Sequence, residues 1–270
     1  MVQPGQAEAR TPSVSVVIVN YRTADLTVSS VESALSEPET AEVVVVDSGS
    51  GNGDAARLRA RFQDDHRVHV VDSAENIGFG RANNLGVQSA SEHFVFLLNS
   101  DATFRPGCLN ALLTRWALLR EPGVLAPAIY VGSSDEQQTE VGGRFPTAAR
   151  FIAQRTKRYS AGESPDWVSG CAMLIERDVF ARLGGFDPEI FMYYEDVLLC
   201  WEIRKAGLNV YRHAAAGVNH LGSQSPIEGR SGSSTHAYDS QDILLRKMGE
   251  PLLMRVALKG VRRVYRTIHA

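Results

Sequence analysis

Phe94–Asp101 reads FVFLLNSD. Five apolar or aromatic residues follow one another without alternation and stop at Asn99-Ser100-Asp101. A continuous apolar run that ends on polar residues points to a strand covered on both faces, as in a parallel sheet. Open α/β sheets bind their ligands just beyond the carboxyl ends of such strands. Asp101 at that edge, with Asn99 two residues earlier, has the chemistry to hold a hard cation that shares its oxygens with a diphosphate. Asn, Ser and Asp equally favour turns and helix N-caps, which would open a helix over TFRPGCLNALL (residues 103–113). On this stretch alone both readings stand.

Working outward, the residues before it repeat one pattern. VSVVIV (Val14–Val19) is a β-branched strand ending in Asn20-Tyr21-Arg22, and ADLTVSSVESALS follows with helical spacing. EVVVVD (Glu42–Asp47) is a second buried strand, ending in the turn-rich SGSGNGD. A helix (AARLRARF) and a short strand (RVHVVD) come next, then ENIGFGRANNLGVQSAS, a glycine-rich turn entering a helix near Ala82. Strand and helix alternating at this spacing predict a parallel sheet with right-handed crossovers.

Beyond Asp101 the pattern changes. VLAPAIY (Val124–Tyr130) reads as a strand, and residues 133–166 as a long polar excursion with at most one helix. WVSGCAMLIER returns as a strand, DVFARLG starts a helix, EDVLLCWEIRKAG forms another and LNVYRH a further strand. NHLGSQSPIEGRSGSST reads as a flexible Gly/Ser-rich loop that holds His220. Two helical patterns, HAYDSQDILLRKMG and LLMRVALKGVRRVYRTI, close the chain.

Composition narrows the classes. The 270 residues are 44% apolar and 22% charged with a net charge of −3, ordinary for a globular protein and without the basic excess that nucleic acid binding needs. Cys108, Cys171 and Cys200 lack CxxC spacing and read as buried thiols of a reducing compartment. Residues 1–13 are polar without an apolar core, so no secretory signal is expected, and no apolar run reaches the roughly 18 residues of a membrane span.

Three strand ends, Asn20-Tyr21, Asp47-Ser48 and Asn99-Ser100-Asp101, would line one edge of the sheet. Asp47 could accept an N–H from a pyrimidine edge and Tyr21 could pack on the face of the base. The turn at Gly78 and Gly80, with Arg81, suits phosphate, although a glycine pair also serves a plain strand-to-helix turn. It matches neither GxGxxG nor GxxxxGK[ST]. Glu195-Asp196 opens a helix, where acidic residues are expected for dipole reasons. Phe191, Met192, Tyr193 and Tyr194 crowd it, and a carboxylate at a semi-apolar cleft is a candidate general base.

The ordered blocks VSVVIVNYR, VVVVDSGS, ENIGFGRANNLG, FLLNSDA, VSGCAMLIER, LGGFDPEIFMYYEDVLLCWEIRKAG and HLGS resemble the inverting family-2 glycosyltransferases of the GT-A fold, above all bacterial rhamnosyltransferase-like members. The resemblance spans residues 14–225. It implies an α/β architecture: a Rossmann-like, mostly parallel sheet flanked by helices and fused with an acceptor-binding half, then C-terminal helices. Residues 1–13 would be a disordered N-terminus, 14–101 the nucleotide-sugar half, 102–225 the acceptor and catalytic half, and 226–270 a flexible loop with the C-terminal helices.

The resemblance also implies roles. Asn20, Tyr21 and Asp47 would lie at the nucleoside, and Asn76, Gly78, Arg81 and Asn84 along the diphosphate. Asn99-Ser100-Asp101 matches the Asp-x-Asp metal motif, so Asp101 with His220 would hold Mg2+ or Mn2+. Asp196 would be the catalytic base with Glu195 its neighbour. Trp167, Gly170 to Met173 (Cys171 among them) and Tyr194 would wall the acceptor side. The chain departs from the family at neutral Asn99, at Leu198 in place of an acid and at Glu202 in place of a base. The implied reaction moves a sugar, L-rhamnose or another deoxyhexose, from a dTDP- or UDP-linked donor to a hydroxyl acceptor such as a lipid-linked glycan, in cell-surface polysaccharide or glycoconjugate synthesis. A nucleotidyltransferase and a non-catalytic nucleotide-sugar-binding protein are the alternatives. VNYRTADL lacks the basic glycine-rich loop of the first, and intact Asp101, Asp196 and His220 argue against the second.

From Leu244 onward seven Lys or Arg face one Glu. A basic amphipathic helix over 251–268 would lie on an anionic membrane, or pack on the domain, or pack on a second copy in a homodimer. A cytoplasmic location, peripheral at the inner face of the plasma membrane in the first case, is expected.

Overall fold

The computed structural model describes residues 13–138, 141–153, 164–222 and 230–269. In chain order these form β1 (Val14–Asn20), α1 (Ala24–Leu35), β2 (Thr40–Ser48), α2 (Asp54–Arg61), β3 (Val68–Ser73), α3 (Phe79–Ser89), β4 (Phe94–Asn99), β5 (Ala102–Phe104), α4 (Cys108–Trp116) and β6 (Pro122–Val131). There follow β7 (Gly142–Gly143), α5 (Ala148–Ala153), β8 (Trp167–Val168), β9 (Ala172–Glu176), α6 (Arg177–Arg182), α7 (Glu195–Lys205), β10 (Asn209–His220), α8 (Arg230–Lys247) and α9 (Leu252–His269).

One mixed sheet carries the strands in the order β3-β2-β1-β4-β9-β6-β10-β5. β3, β2, β1 and β4 run parallel. β9 lies antiparallel between β4 and β6, β10 is parallel to β6, and β5 is antiparallel to β10. β7 and β8 pair separately.

The unbroken apolar run of β4 has a plain cause, because successive side chains point to opposite faces and both faces are covered. Phe94, Phe96 and Leu98 pack with Val16 and Ile18 of β1 against α1, α2 and α4, through Val31, Leu58, Leu109 and Leu112. Val95 and Leu97 face α3, α6 and α7 on the other side, through Ala82, Val87, Phe180, Leu199 and Ile203. Burying each such side chain contributes roughly 1.5–3 kcal/mol. The parallel strands therefore form a rigid base whose carboxyl ends share one edge, with Asn20 opposite Asp47 and Val19 opposite Asn99.

Several expectations change. Asn99–Asp101 does not cap a helix: β5 intervenes, and α4 begins at Cys108 behind Gly107. α3 begins at Phe79 rather than Ala82, so Gly80 and Arg81 stand in its first turn. WVSGCAMLIER is two strands, β8 and β9, interrupted at residues 169–171. His220 is the last residue of β10, not part of a loop, because the strand continues through an irregularity between His213 and Gly217. Arg230 and the residues after it begin α8 instead of extending the loop. Residues 1–12, 154–163 and 223–229 lie outside the described residues, and with them most of the expected disordered N-terminus and the centre of the expected loop. The three cysteines are buried and unpaired.

Gly86 sets how closely α3 approaches the sheet. A Cβ there would meet Val17 Cγ1 at 2.4 Å and Val46 Cγ2 at 3.1 Å. Gly86→Ala gains about 1 kcal/mol of helix preference. It incurs about 1–3 kcal/mol of overpacking, and at such a distance the upper part of that range applies. Thermal unfolding of this variant is expected at a lower temperature, by at least about 2 °C. An unchanged midpoint would mean that α3 stands off β1 and β2.

Candidate active site

The polar residues at the strand ends divide into two groups. Asn20 is fully buried and all its side-chain atoms are engaged. Its Nδ2 donates to Asp47 Oδ1 at 2.7 Å and Ser50 Oγ at 3.2 Å, while its Oδ1 accepts from Thr27 Oγ1 at 2.8 Å. Asp47 closes the same network, with Oδ1 also accepting from Ser50 Oγ at 2.5 Å. Ser100 is buried and accepts from Thr23 Oγ1 at 3.1 Å. These side chains knit β1, β2 and β4 together. Tyr21, Ser48, Asn99 and Asp101, from the same edge, line a cavity of 590 Å³.

Asp101 meets His220 because β5 and β10 pair antiparallel, with Ala102 opposite His220 and Leu221 N donating to Asp101 O at 3.0 Å. His220 Nε2 stands 3.2 Å from Asp101 Oδ1 and 3.4 Å from Asn99 Nδ2. Gln138 straps the imidazole from behind: its Nε2 donates to His220 O at 3.1 Å, which turns its Oε1 to His220 Nδ1 at 3.2 Å. An N–H at Nδ1 leaves the Nε2 lone pair facing a carboxylate oxygen, an arrangement completed by a proton or a cation between the two. Asn99 Oδ1 is buried without a hydrogen-bond partner. The donor set therefore suits a hard cation, although among the described residues no group of three His, Cys, Asp or Glu converges on one point.

Across the cavity, α7 opens behind two residues in the left-handed region, Tyr193 and Tyr194, both at φ 69°. Such a backbone costs a non-glycine residue of order 1–3 kcal/mol and marks places where a side chain is held to a purpose. It delivers Glu195 and Asp196 into the lining. Asp196 Oδ2 accepts from Gly170 N at 2.9 Å and Oδ1 from Val197 N at 2.8 Å. Burial raises the Asp196 carboxyl, and these N–H donors pull against the shift. Glu195 is buried with Oε2 unpartnered, and burial followed by the Asp196 charge pushes it up to about 8. The N–H donors make Asp196 the easier of the two to ionise, while burial and the Asp196 charge favour the proton on Glu195. Cys171 lies between the two walls, its thiol held protonated by burial and then by the charges of Asp101 and Asp196.

Tyr21, Asn76, Gly78, Asn99, Asp101, Trp167, Gly170, Cys171, Tyr194, Glu195, Asp196 and His220 all line this one cavity. Gly78 has φ +83°, and a Cβ there would strike Phe191 O at 2.3 Å, so the turn admits only glycine. Seven expected contacts are not in the lining. Asn20, Asp47 and Ser100 are engaged in the buried network just described. Arg81 turns to Pro188 O, donating from Nε at 2.9 Å and Nη2 at 2.5 Å. Asn84 brackets Phe186, accepting from its N and donating to its O, both at 2.8 Å. Ala172 and Met173, expected on the acceptor wall, are fully buried in β9. Gln138, Arg144 and Phe151 belong to the site's surroundings but come from the polar excursion, where no periodicity marks them.

Three comparisons with known proteins bear on the family and the fold. The family model "Glycosyl transferase family 2" matches residues 15–184. The chain is similar to N-acetylglucosaminyl-diphospho-decaprenol L-rhamnosyltransferase of Mycobacterium tuberculosis, 28% identical over 214 residues and covering 69% of each chain. Rhamnosyltransferase WbbL of Escherichia coli is 22% identical over 73% of this chain and 79% of its own. Among solved structures, GalNAc-T7 with UDP, GalNAc and Mn2+ superposes with a TM-score of 0.68 at 18% identity, over 88% of this chain. The chain spans about half of that longer protein, 48%. Mannosyltransferase PcManGT from Pyrobaculum calidifontis, in complex with GDP-Man and Mn2+, matches with a TM-score of 0.58 at 18% identity, over 95% of this chain and 81% of its own. These likenesses establish the α/β GT-A fold.

Glu195 makes stability fall with rising pH. Its carboxyl ionises near 4.5 unfolded and near 8 folded, so the stability present below 4.5 is lost as pH rises towards 8. Glu195→Gln removes that dependence. In paired denaturant titrations the wild type is expected to lose stability relative to Glu195→Gln between these two pH values and to run parallel outside them. A flat difference across the window would show that Glu195 ionises normally.

Proposed function

The chain belongs to glycosyl transferase family 2, and from that premise we propose that it is a metal-dependent, inverting rhamnosyltransferase. It would move L-rhamnose or a related deoxyhexose from a dTDP- or UDP-linked donor to a hydroxyl of a lipid-linked glycan, as in cell-surface polysaccharide synthesis. The observation that carries the reading is that Asp101 with His220, and Asp196, stand on one cavity. The names of the mycobacterial and Escherichia coli relatives support the sugar, and the mycobacterial name supports a diphospho-lipid acceptor.

The two walls divide the work. Tyr21, Ser48 and Asn76 line the end of the cavity at the carboxyl ends of the parallel strands, where a nucleoside would lie. Gly78 and Phe79 present the N-terminus of α3 to the cavity, a favourable place for diphosphate charge. Asp101 and His220, with Asn99 Oδ1 and oxygens of the donor, would hold the divalent ion. When bound there, that ion supplies charge neutralisation for the departing diphosphate.

Asp196 faces the acceptor side. Its carboxylate takes the proton of the acceptor hydroxyl as that oxygen bonds to the anomeric carbon. The bond from that carbon to the diphosphate oxygen breaks, and its electron pair leaves with the nucleoside diphosphate. One displacement inverts the anomeric centre. The raised Asp196 carboxyl brings the base nearer to neutral pH, where proton uptake is most useful. Glu195 stays protonated, so the pair does not confront the donor with two charges. Trp167, Tyr194 and Phe151 offer flat apolar faces to the acceptor.

Asp196→Asn is expected to bind nucleoside diphosphate as the wild type does and to lose turnover by on the order of 10²–10⁴. Transfer assays paired with equilibrium binding check this, and near-normal turnover removes Asp196 from the role of base. In a thermal-shift panel, dTDP or UDP with Mn2+ should stabilise more than either without metal. At about a hundred times the dissociation constant the gain is about 2.7 kcal/mol. Asp101→Asn should abolish the metal-dependent part, and a metal-independent shift would refute the cation site.

A further inference from the structure

A lipid-borne acceptor has to be met at a membrane surface, and among the described residues no helix is long and apolar enough to cross one. We propose that the start of α9 docks on an anionic bilayer through Leu252, Leu253 and Val256, and so holds the acceptor wall of the cavity against the headgroups. The proposal rests on the acceptor class given above and adds how the enzyme reaches it.

Leu252, Leu253 and Val256 are 68%, 78% and 55% exposed. At about 100° per residue they fall within one arc of the helix. Met254 and Leu258 point the opposite way and pack on Ala148 and Phe151 of α5 and Leu245 of α8. Arg255 and Lys259 lie between, both paired with Asp242 of α8. α9 is thus fixed to the body by one apolar face while a second apolar face is left in water. Of the other large apolar side chains exposed among the described residues, Leu118 follows α4, and Val131 lies opposite His220, next to Leu221, at the far end of β10. Single exposed residues are ordinary, whereas a contiguous apolar face marks a docking surface.

Charge selects the occupant. Residues 252–269 contain five Lys or Arg and no Asp or Glu, in a chain of net charge −3. An apolar stripe on a basic helix suits the interface of a bilayer with anionic headgroups. A second copy of the chain fits less well, because a two-fold contact of α9 with itself would set two basic helices side by side.

Position supplies the purpose. α5, on which α9 packs, carries Phe151, which lines the cavity and meets Tyr194 edge-on with ring centroids 6.0 Å apart. α8 adds Ala237 to the same lining. The cap of α5, α8 and α9 therefore joins the docking face to the wall beside Asp196.

The test uses the full chain without donor or acceptor. It is sedimented with phosphatidylcholine vesicles containing phosphatidylglycerol, and with phosphatidylcholine vesicles alone. Wild type should pellet with the first and far less with the second, and raising salt should weaken the binding. The triple variant Leu252→Ser, Leu253→Ser, Val256→Ser should lose at least about tenfold in partitioning. Its unfolding midpoint and its donor hydrolysis without vesicles should not change, since none of the three residues lines the cavity. Failure of wild type to bind anionic vesicles, or equal binding by the triple variant, overturns the proposal. A wild-type dimer that becomes monomeric in the variant, without vesicle binding, assigns the face to a second copy instead. Vesicle binding is read without any sugar donor, so it stands or falls separately from the transferase reading.

Discussion

The antiparallel pairing of Ala102 with His220 is the contact on which the site depends. It joins residues 121 positions apart, Asn99 and His220, at 3.4 Å. β5 is only three residues long, yet it ties the end of the parallel strands to the far edge of the sheet. Without that hairpin-like return Asp101 would be a carboxylate at the end of a strand, with no imidazole beside it. Gln138 then fixes the ring, since its amide is oriented by the backbone carbonyl of His220 itself. A weak local signal, one Asp after an apolar run, becomes a paired donor set through main-chain pairing.

The opposite wall is organised by strain and burial. Tyr193 and Tyr194 hold a backbone that neither side chain favours, and the return is the placement of Glu195 and Asp196 at the first turn of α7. Desolvation keeps Glu195 protonated, while Gly170 N and Val197 N keep Asp196 the easier of the two to ionise. Cys171 lines the same cavity, and burial first, then the charges of Asp101 and Asp196, hold its thiol protonated. On the proposed reading, a charge-neutralising site on one side and a single base on the other divide the labour of a one-step displacement.

The neighbours of these groups act through placement. Asn20, Asp47 and Ser100 stand at the same strand ends as Asn99 and Asp101 but hold the strands to one another. Arg81 and Asn84 similarly hold the turn at Pro188 and Phe186, whose continuation, Phe191, packs on Gly78. Moving any of them would shift the cavity wall, and shifts of an ångström impair the positioning of reacting groups.

The sequence by itself determined the parallel strands, their shared edge, the acidic start of α7 and the two-faced character of α9. Each is written in local periodicity, which reports how many faces of an element are covered. It did not determine which polar residue at a strand end looks into the cavity and which looks sideways, as Asn99 and Asn20 illustrate. Nor did it reveal Gln138, or that β10 runs on to His220, or which face of α9 is covered. Those outcomes depend on partners far away along the chain. A polar side chain takes whichever donor or acceptor the fold brings within about 3 Å, and only the tertiary structure decides which one that is.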